Sequence, residues 1–282
     1  MKVFVTGHRG RIGSEITRLL EADGHTVVGF DRADGQSVLD GAAVRAAAVG
    51  CEAAIHLASL LGGPNDDPEE TMQVSVMGSW HVLQAAEAEK MQRVIYFSSV
   101  NALGIFMGLK TPDYLPIDDD YPPQPVSAYG LSKRLVEDMC RYFTERTGIT
   151  TICLRPPWVS SPEAFERRAQ WRAQNKNFDW KARWEYGAFC DVRDVARAAV
   201  LGLTCPDPGH VTILLCADQI GADRPSRELA QEVHHAVPWR GGPAYDQDPQ
   251  RALVSNQRAK KILGWQPLYG WLGQKVEAEG KE

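Results

Sequence analysis

The stretch Val3–Ile16, "VFVTGHRGRIGSEI", decides how this 282-residue chain is read. Four strand-forming residues run into Gly7, Gly10 and Gly13, and the third glycine already lies within a helix-like run, "RIGSEITRLLEA". The glycines permit a tight turn and the close approach of a pyrophosphate. The free N–H groups at the helix start, and its positive end, then favour that anion. Three spaced glycines are weak evidence alone, but this strand–turn–helix setting makes them a dinucleotide-binding signal. Gly7, Arg9, Gly10, Arg11, Ile12 and Gly13 are therefore the first candidate cofactor contacts.

The next apolar run, "TVVGF", ends at Asp31, eighteen residues after Gly13. An acid there accepts hydrogen bonds from the adenosine ribose and repels a 2′-phosphate, which favours NAD over NADP. Arg32, Arg9 and Arg11 stand nearby as partners a 2′-phosphate would use. The alternative role for Asp31 is that of a plain turn residue after a strand.

Further apolar runs follow as "AAIHLA", "RVIYFSS", "TTICLR" and "HVTILLC". They alternate with helical stretches near Ile12–Ala22, Gly41–Ala48, Thr71–Lys90 and Ala128–Thr147, and "FCDVRDVARAAVLGL" reads as a short strand entering a helix. This alternation predicts an α/β chain with a Rossmann-type doubly wound parallel sheet. Residues 1–154 and 187–216 are the expected NAD-binding domain. Residues 155–186, rich in Trp, Arg and Pro, and residues 217–282 are expected to form a small discontinuous substrate-binding lobe. Such a lobe would lie over the carboxyl edge of the sheet, where ligands of open α/β sheets bind.

Composition narrows the function classes. Hydrophobic residues make up 44% and charged residues 24%, as in a soluble globular protein, and the net charge is -5. That balance gives no general attraction to nucleic acid or anionic membranes. No basic tract, bilayer-length apolar run or signal peptide is evident, and the opening "MKVFVTG" already reads as a strand, so a cytoplasmic location is expected. Cys51, Cys140, Cys153, Cys190, Cys205 and Cys216 are scattered without a C-x-x-C pair and read as small core residues. The adjacent His234 and His235 make a poor ligand pair, so no metal site is expected.

"SAYGLSK", Ser127–Lys133, places Tyr129 four residues before Lys133. Spacing alone describes an ordinary helix face. Other motifs give it more weight: the G-x-x-G-x-x-G loop, "HLAS" at His56–Ser59, "YFSSVNALG", "LRPPWVSSP", "FCDVRDVARA" and "SNQRAKKILGWQP". In this order, from residue 2 to about 268, they resemble the extended branch of the short-chain dehydrogenase/reductase superfamily, the NAD-dependent epimerase/dehydratase family. Within that branch the pattern is most similar to uronate and aldose dehydrogenases.

The resemblance implies catalytic roles for Ser99, Tyr129 and Lys133. Gly104 matches the family's glycine after this strand and selects Ser99 over Ser98, leaving Ser98 as a backbone-capping neighbour. It further implies cofactor contacts at Leu57, Ala58, Ser59, Tyr129, Lys133 (on the nicotinamide ribose), Pro156 and Val159, with Arg155 opening the segment beside the nicotinamide, and substrate contacts at Ser99, Asn101, Trp158 and Arg168. Asp191 and Asp194 match a motif that joins the two lobes, and helix capping explains them equally well. A homodimer paired through Thr71–Lys90 and Ala128–Thr147 is also implied.

The chemistry accounts for these residue types. Hydride transfer from a C–OH carbon requires a base for the hydroxyl proton, and a free tyrosine with pKa about 10 is a poor one. Lys133 follows one turn along the helix, and its ammonium together with the nicotinium charge would stabilise the phenolate. A lowering of ~3 units corresponds to ~4 kcal/mol. Ser99 would hold the oxygen on which charge develops.

Departures from the family matter as well. Ser75 in "SVMGS" replaces a common Asn, "RPPWV" lacks the Asn usual in nucleotide-sugar epimerases, and Ser37 replaces an acid near the adenine, with Asp40 a helix cap. Arg167, Arg168, Arg172, Asn175 and Arg183 read either as a carboxylate clamp or as solvated helix positions. Three functions are consistent with these residues. The first is an NAD-dependent dehydrogenase of a sugar or sugar acid, and the second is a nucleotide-sugar 4-epimerase or dehydratase that retains NAD. The third is a non-catalytic dinucleotide-binding regulator, which the presence of both Tyr129 and Lys133 opposes.

Overall fold

The structure is a computed structural model and describes residues 1–61, 63, 66–108, 110–174, 185–222, 224–271 and 275. Strand β1 (Lys2–Thr6) leads into helix α1 (Arg11–Ala22), followed by β2 (Thr26–Phe30), α2 (Gly41–Ala47) and β3 (Ala53–His56). Helix α3 (Pro68–Met72) passes through a π-helical turn, Gln73–Met77, into α4 (Gly78–Ala88) and then β4 (Arg93–Phe97). After β4 come α5 (Ala128–Thr147), β5 (Thr150–Arg155), β6 (Trp158–Ser160) and α6 (Pro162–Gln174). The chain continues through β7 (Phe189–Asp191), α7 (Val192–Gly202), β8 (His210–Leu214), α8 (Ser226–Val233), α9 (Ala244–Gln247) and α10 (Gln257–Leu263).

Six strands pair in the order β2-β1-β3-β4-β5-β8, all parallel, while β6 and β7 form a separate two-stranded parallel pair. The strands are apolar on both faces because helices cover both. Val3, Val5, Ile55, Ile95 and Leu154 pack beneath Ile16 and Leu20 of α1 and Val195 and Ala199 of α7. Phe4, Ala54, Val94 and Cys153 meet Val44, Leu83, Val136 and Phe143 on the other side. This is the doubly wound sheet expected from the alternation of runs. A second core, including Leu103, Phe106, Tyr121, Tyr186, Leu229 and Val254, lies among the segments after β4 and β8.

Two local features differ from the sequence reading. The helix expected at Thr71–Lys90 begins at Pro68, where the Asp67 carboxylate accepts from Glu69 N, and it is interrupted by the π turn around Ser75. The tail helix α10 and Trp265 pack into the core beneath α1 and α7, and the Trp265 indole donates to Asp194 O at 2.8 Å. All six cysteines are buried and free. Among the described residues no helix is long and apolar enough to cross a membrane, and no cluster of His, Cys, Asp and Glu has metal-ligand geometry.

Candidate active site

The glycine loop connects β1 to α1 with no spare room. Gly7 has φ +74°, and a Cβ on it would meet Ala58 N at 3.0 Å. A Cβ on Gly13 would lie 2.1 Å from Gly7 O, so a side chain there would collide with the loop itself. Gly10 is the N-cap of α1 and supplies no side-chain cap, and the first turn of α1 has no acidic residue. The first N–H groups of this helix are left for an external acceptor, which suits a pyrophosphate. Ile12 is half-buried against the core, and the Arg11 guanidinium donates to Val159 O at 3.0 Å, spanning from the loop to β6.

Asp31 stands at the end of β2. Its carboxylate accepts from Ala33 N at 2.9 Å and Arg9 N at 3.0 Å, each on a different oxygen. It caps a 3-10 turn, Arg32–Asp34, and each oxygen keeps a lone pair for a ribose hydroxyl. The two roles considered for this residue are therefore compatible. Arg32 is exposed at the start of the turn.

A buried polar chain joins β1, β3 and α4 beside the glycine loop. Thr6 Oγ1 lies 2.6 Å from His56 Nδ1, His56 Nε2 lies 2.9 Å from Ser79 Oγ, and the Ser79 hydroxyl donates to Ser75 O. Because Ser79 donates to a carbonyl, it accepts from His56 Nε2–H, and Nδ1 then accepts from Thr6. Leu57 N and Ala58 N in turn donate to Thr6 Oγ1 at 3.3 Å each, which holds this backbone above Gly7. The Ser59 and Ser75 hydroxyls are 3.1 Å apart, so Ser75 supports this loop from within the π turn.

Burial first, and the Lys133 charge second, lower the His56 pKa to about 3. The neutral ring therefore stabilises the fold fully above the unfolded value near 6.5, and that contribution is lost as pH falls from there towards 3. About 3 kcal/mol should disappear by pH 4. Urea midpoints measured at pH 7 and 4 should show this loss in the parent, and His56→Asn should flatten the dependence. Equal slopes in the two proteins would rule out His56 as the titrating group.

Ser99, Tyr129 and Lys133 are brought together by β4 and α5. Ser99 is buried, its Oγ accepts from Asn101 N at 3.2 Å, and it caps the 3-10 turn Val100–Leu103. Asn101 O crowds Gly130 so closely that a Cβ there would sit 2.4 Å away, which presses the serine loop onto the start of α5. The Ser127 hydroxyl caps α5 by accepting from Gly130 N at 3.1 Å. Lys133 is buried, donates to Phe97 O at 2.9 Å, and places its ammonium 5.4 Å from the Tyr129 ring centre.

Burial raises the half-buried Tyr129 phenol, while its hydrogen-bonding contact with Ser99 lowers it. Burial also lowers Lys133 to about 7, against an opposing pull from Glu137.

One residue not expected near the site, Glu137, ties its elements together. Glu137, one turn beyond Lys133, receives Arg155 Nε and Nη2 at 2.7 Å each, and the Ser98 hydroxyl at 2.6 Å. Ser98 is therefore not a backbone cap: it ties β4 to α5, and Ser99 does the capping. Glu137 holds the Arg155 side chain in the core at the end of β5. Pro156 O accepts from Val100 N at 3.2 Å and links the Ser99 loop to the end of β5. The spacing of Glu137 after Lys133 was visible in the sequence, but its partners were not.

The remaining expected positions divide clearly. Trp158 lies in β6 with its ring edge-on to Phe165, 5.7 Å between centroids. Asp191 caps α7 by accepting from Arg193 N, and buried Asp194 accepts from Leu268 N and Tyr269 N, so both are structural here. Asp40 caps α2. Arg168 belongs to α6, but its side chain lies outside the described residues, as do Arg172, Asn175 and Arg183.

Comparison with known proteins agrees with this geometry. A model of the NAD dependent epimerase/dehydratase family matches residues 3–214. A uronate dehydrogenase of Pseudomonas putida is 33% identical over 222 residues, covering 78% of this chain and 70% of that protein. A UDP-glucose 4-epimerase of Corynebacterium glutamicum is 25% identical over 317 residues, covering 98% of this chain and 94% of its own. Among solved structures, a short-chain dehydrogenase/reductase superfamily protein of Agrobacterium tumefaciens with bound NAD superposes with a TM-score of 0.71. It has 23% identity and covers 96% of this chain and 94% of its own.

Proposed function

Because the chain belongs to the NAD dependent epimerase/dehydratase family of enzymes, we propose that it is an NAD-dependent dehydrogenase of a secondary or anomeric hydroxyl on a sugar or sugar acid. The observation that carries this reading is the placement of buried Ser99 after β4 beside the start of α5, where the buried Lys133 ammonium lies 5.4 Å from the Tyr129 ring centre. NAD, when bound, accepts the hydride. The glycine loop and the uncapped start of α1 would hold its pyrophosphate, Asp31 the adenosine ribose and Lys133 the nicotinamide ribose, with Leu57–Ser59, Pro156 and Val159 alongside.

Ser99 holds the substrate oxygen, and Tyr129 takes its proton. Ligand cations close to the phenol would supply the charge that Lys133 alone does not. Asn101, Trp158 and Arg168 are the proposed substrate contacts, and segments 155–186 and 217–282 the proposed substrate lobe. Exposed Met77, Leu131, Leu135 and Tyr142 give the α4 and α5 side an apolar face suited to a homodimer.

A second reading, a nucleotide-sugar epimerase that retains NAD, is favoured by the end-to-end match to the UDP-glucose 4-epimerase. One experiment separates the two. With a panel of aldoses, uronic acids and polyols, and NAD or NADP, a dehydrogenase accumulates reduced cofactor at 340 nm. An epimerase shows no net reduction and releases NAD only on denaturation. Neither signal from the panel, nor from UDP-sugars, would overturn both readings.

A further inference from the structure

The rim of the adenosine end holds a second acid that neither the glycine motif nor the end of β2 accounts for. Arg9 extends from the glycine loop to Asp34 and bonds its carboxylate through Nε at 3.2 Å and Nη2 at 2.9 Å. His8 Nε2 lies 3.3 Å from the other oxygen of the same carboxylate. The His8 ring rests on Gly29, where a Cβ would meet it at 2.6 Å, so the missing side chain on β2 allows this placement. Asp34 is not the cap of its own turn; Asp31 is.

We propose that Asp34 is a cofactor-specificity residue that works by occupying Arg9 and His8. Both lie beside Asp31, where the adenosine ribose would be held under the dinucleotide reading, on which this inference rests. An unoccupied guanidinium there would form a two-pronged pair with a 2′-phosphate. Paired with Asp34 its Nε–Nη2 edge is taken and its charge is offset, and the carboxylate adds a second negative charge beside Asp31. Asp31 thus selects for the ribose diol directly, whereas Asp34 withholds the Arg9 cation that would reward a phosphate in its place.

The test is direct binding of NAD and NADP, measured calorimetrically on the parent, Asp34→Asn, Arg9→Ala and the double variant. Asp34→Asn keeps the shape of the turn, and a thermal melt checks the fold of each variant. The expected result is a gain of about tenfold in NADP affinity for Asp34→Asn, with NAD affinity changed less than about threefold. The double variant should keep only a small part of that gain, the part that comes from removing the negative charge. An unchanged NADP affinity in Asp34→Asn, with NAD binding intact, would overturn the proposal, as would a gain that is undiminished without Arg9. A parent that binds neither dinucleotide would instead overturn the cofactor reading, and this inference with it.

Discussion

Tyr129→Phe is expected to lower kcat by about 10²–10⁴-fold while leaving NAD affinity within a few-fold of the parent. The substitution removes one oxygen and keeps the ring, which packs beside Lys133 at the start of α5. Ser99 would still hold the substrate oxygen, but no group within reach would take its proton. Burial holds the phenol above its ordinary value, so the parent should depend on charges that assemble around it in the complex. The decisive measurement is single-turnover reduction of NAD in the parent and the variant. Full turnover by Tyr129→Phe would remove the residue from the role of base.

The second large effect should fall on stability. Glu137→Ala would leave the Arg155 guanidinium, whose side chain is 4% exposed, buried without its counter-ion, and would also strip the Ser98 hydroxyl of its acceptor. Removing one partner of a buried pair costs roughly 3–5 kcal/mol. For a chain of this size that corresponds to a fall in Tm of about 10 °C. Replacing both partners, Glu137→Met with Arg155→Leu, should recover much of the loss, because no charge is then left unpaired. Urea denaturation of the three proteins tests this, and a loss below about 1 kcal/mol in Glu137→Ala would show that the pair contributes little. The consequence for function is local. Glu137 joins β4, α5 and β5, the three elements that carry Ser99, Tyr129 with Lys133, and the Pro156–Val159 segment.

The parts of this architecture that were legible in the sequence share one property: they are short in range. The strand–glycine–helix run, Asp31 at a strand end, and Tyr129 one turn before Lys133 all lie within single β-α units. Their geometry follows from backbone periodicity and the lack of a side chain at glycine. Apolar runs separated by helices were enough to anticipate a sheet covered on both faces.

Ser98 and Ser99 show where that reasoning stops. They are adjacent on the chain and similar in chemistry; the match at Gly104 pointed to Ser99, but the anchoring partner of Ser98, Glu137 thirty-nine residues on, is seen only in the fold. Glu137 itself reads as a surface residue of an amphipathic helix until Arg155 arrives from the next strand to neutralise it. Likewise, Arg9 counts as a free cation in the sequence and becomes an occupied one once the turn after β2 carries Asp34 against it.

The sequence by itself thus determined the type of fold, the place of the dinucleotide loop and the identity of the candidate acid–base pair, because local periodicity encodes all three. Tertiary structure decided which charges are paired and which are left for a ligand. A buried or crowded ion is tolerable only beside its partner, and here the partners of Glu137 and Arg9 come from other strands and turns.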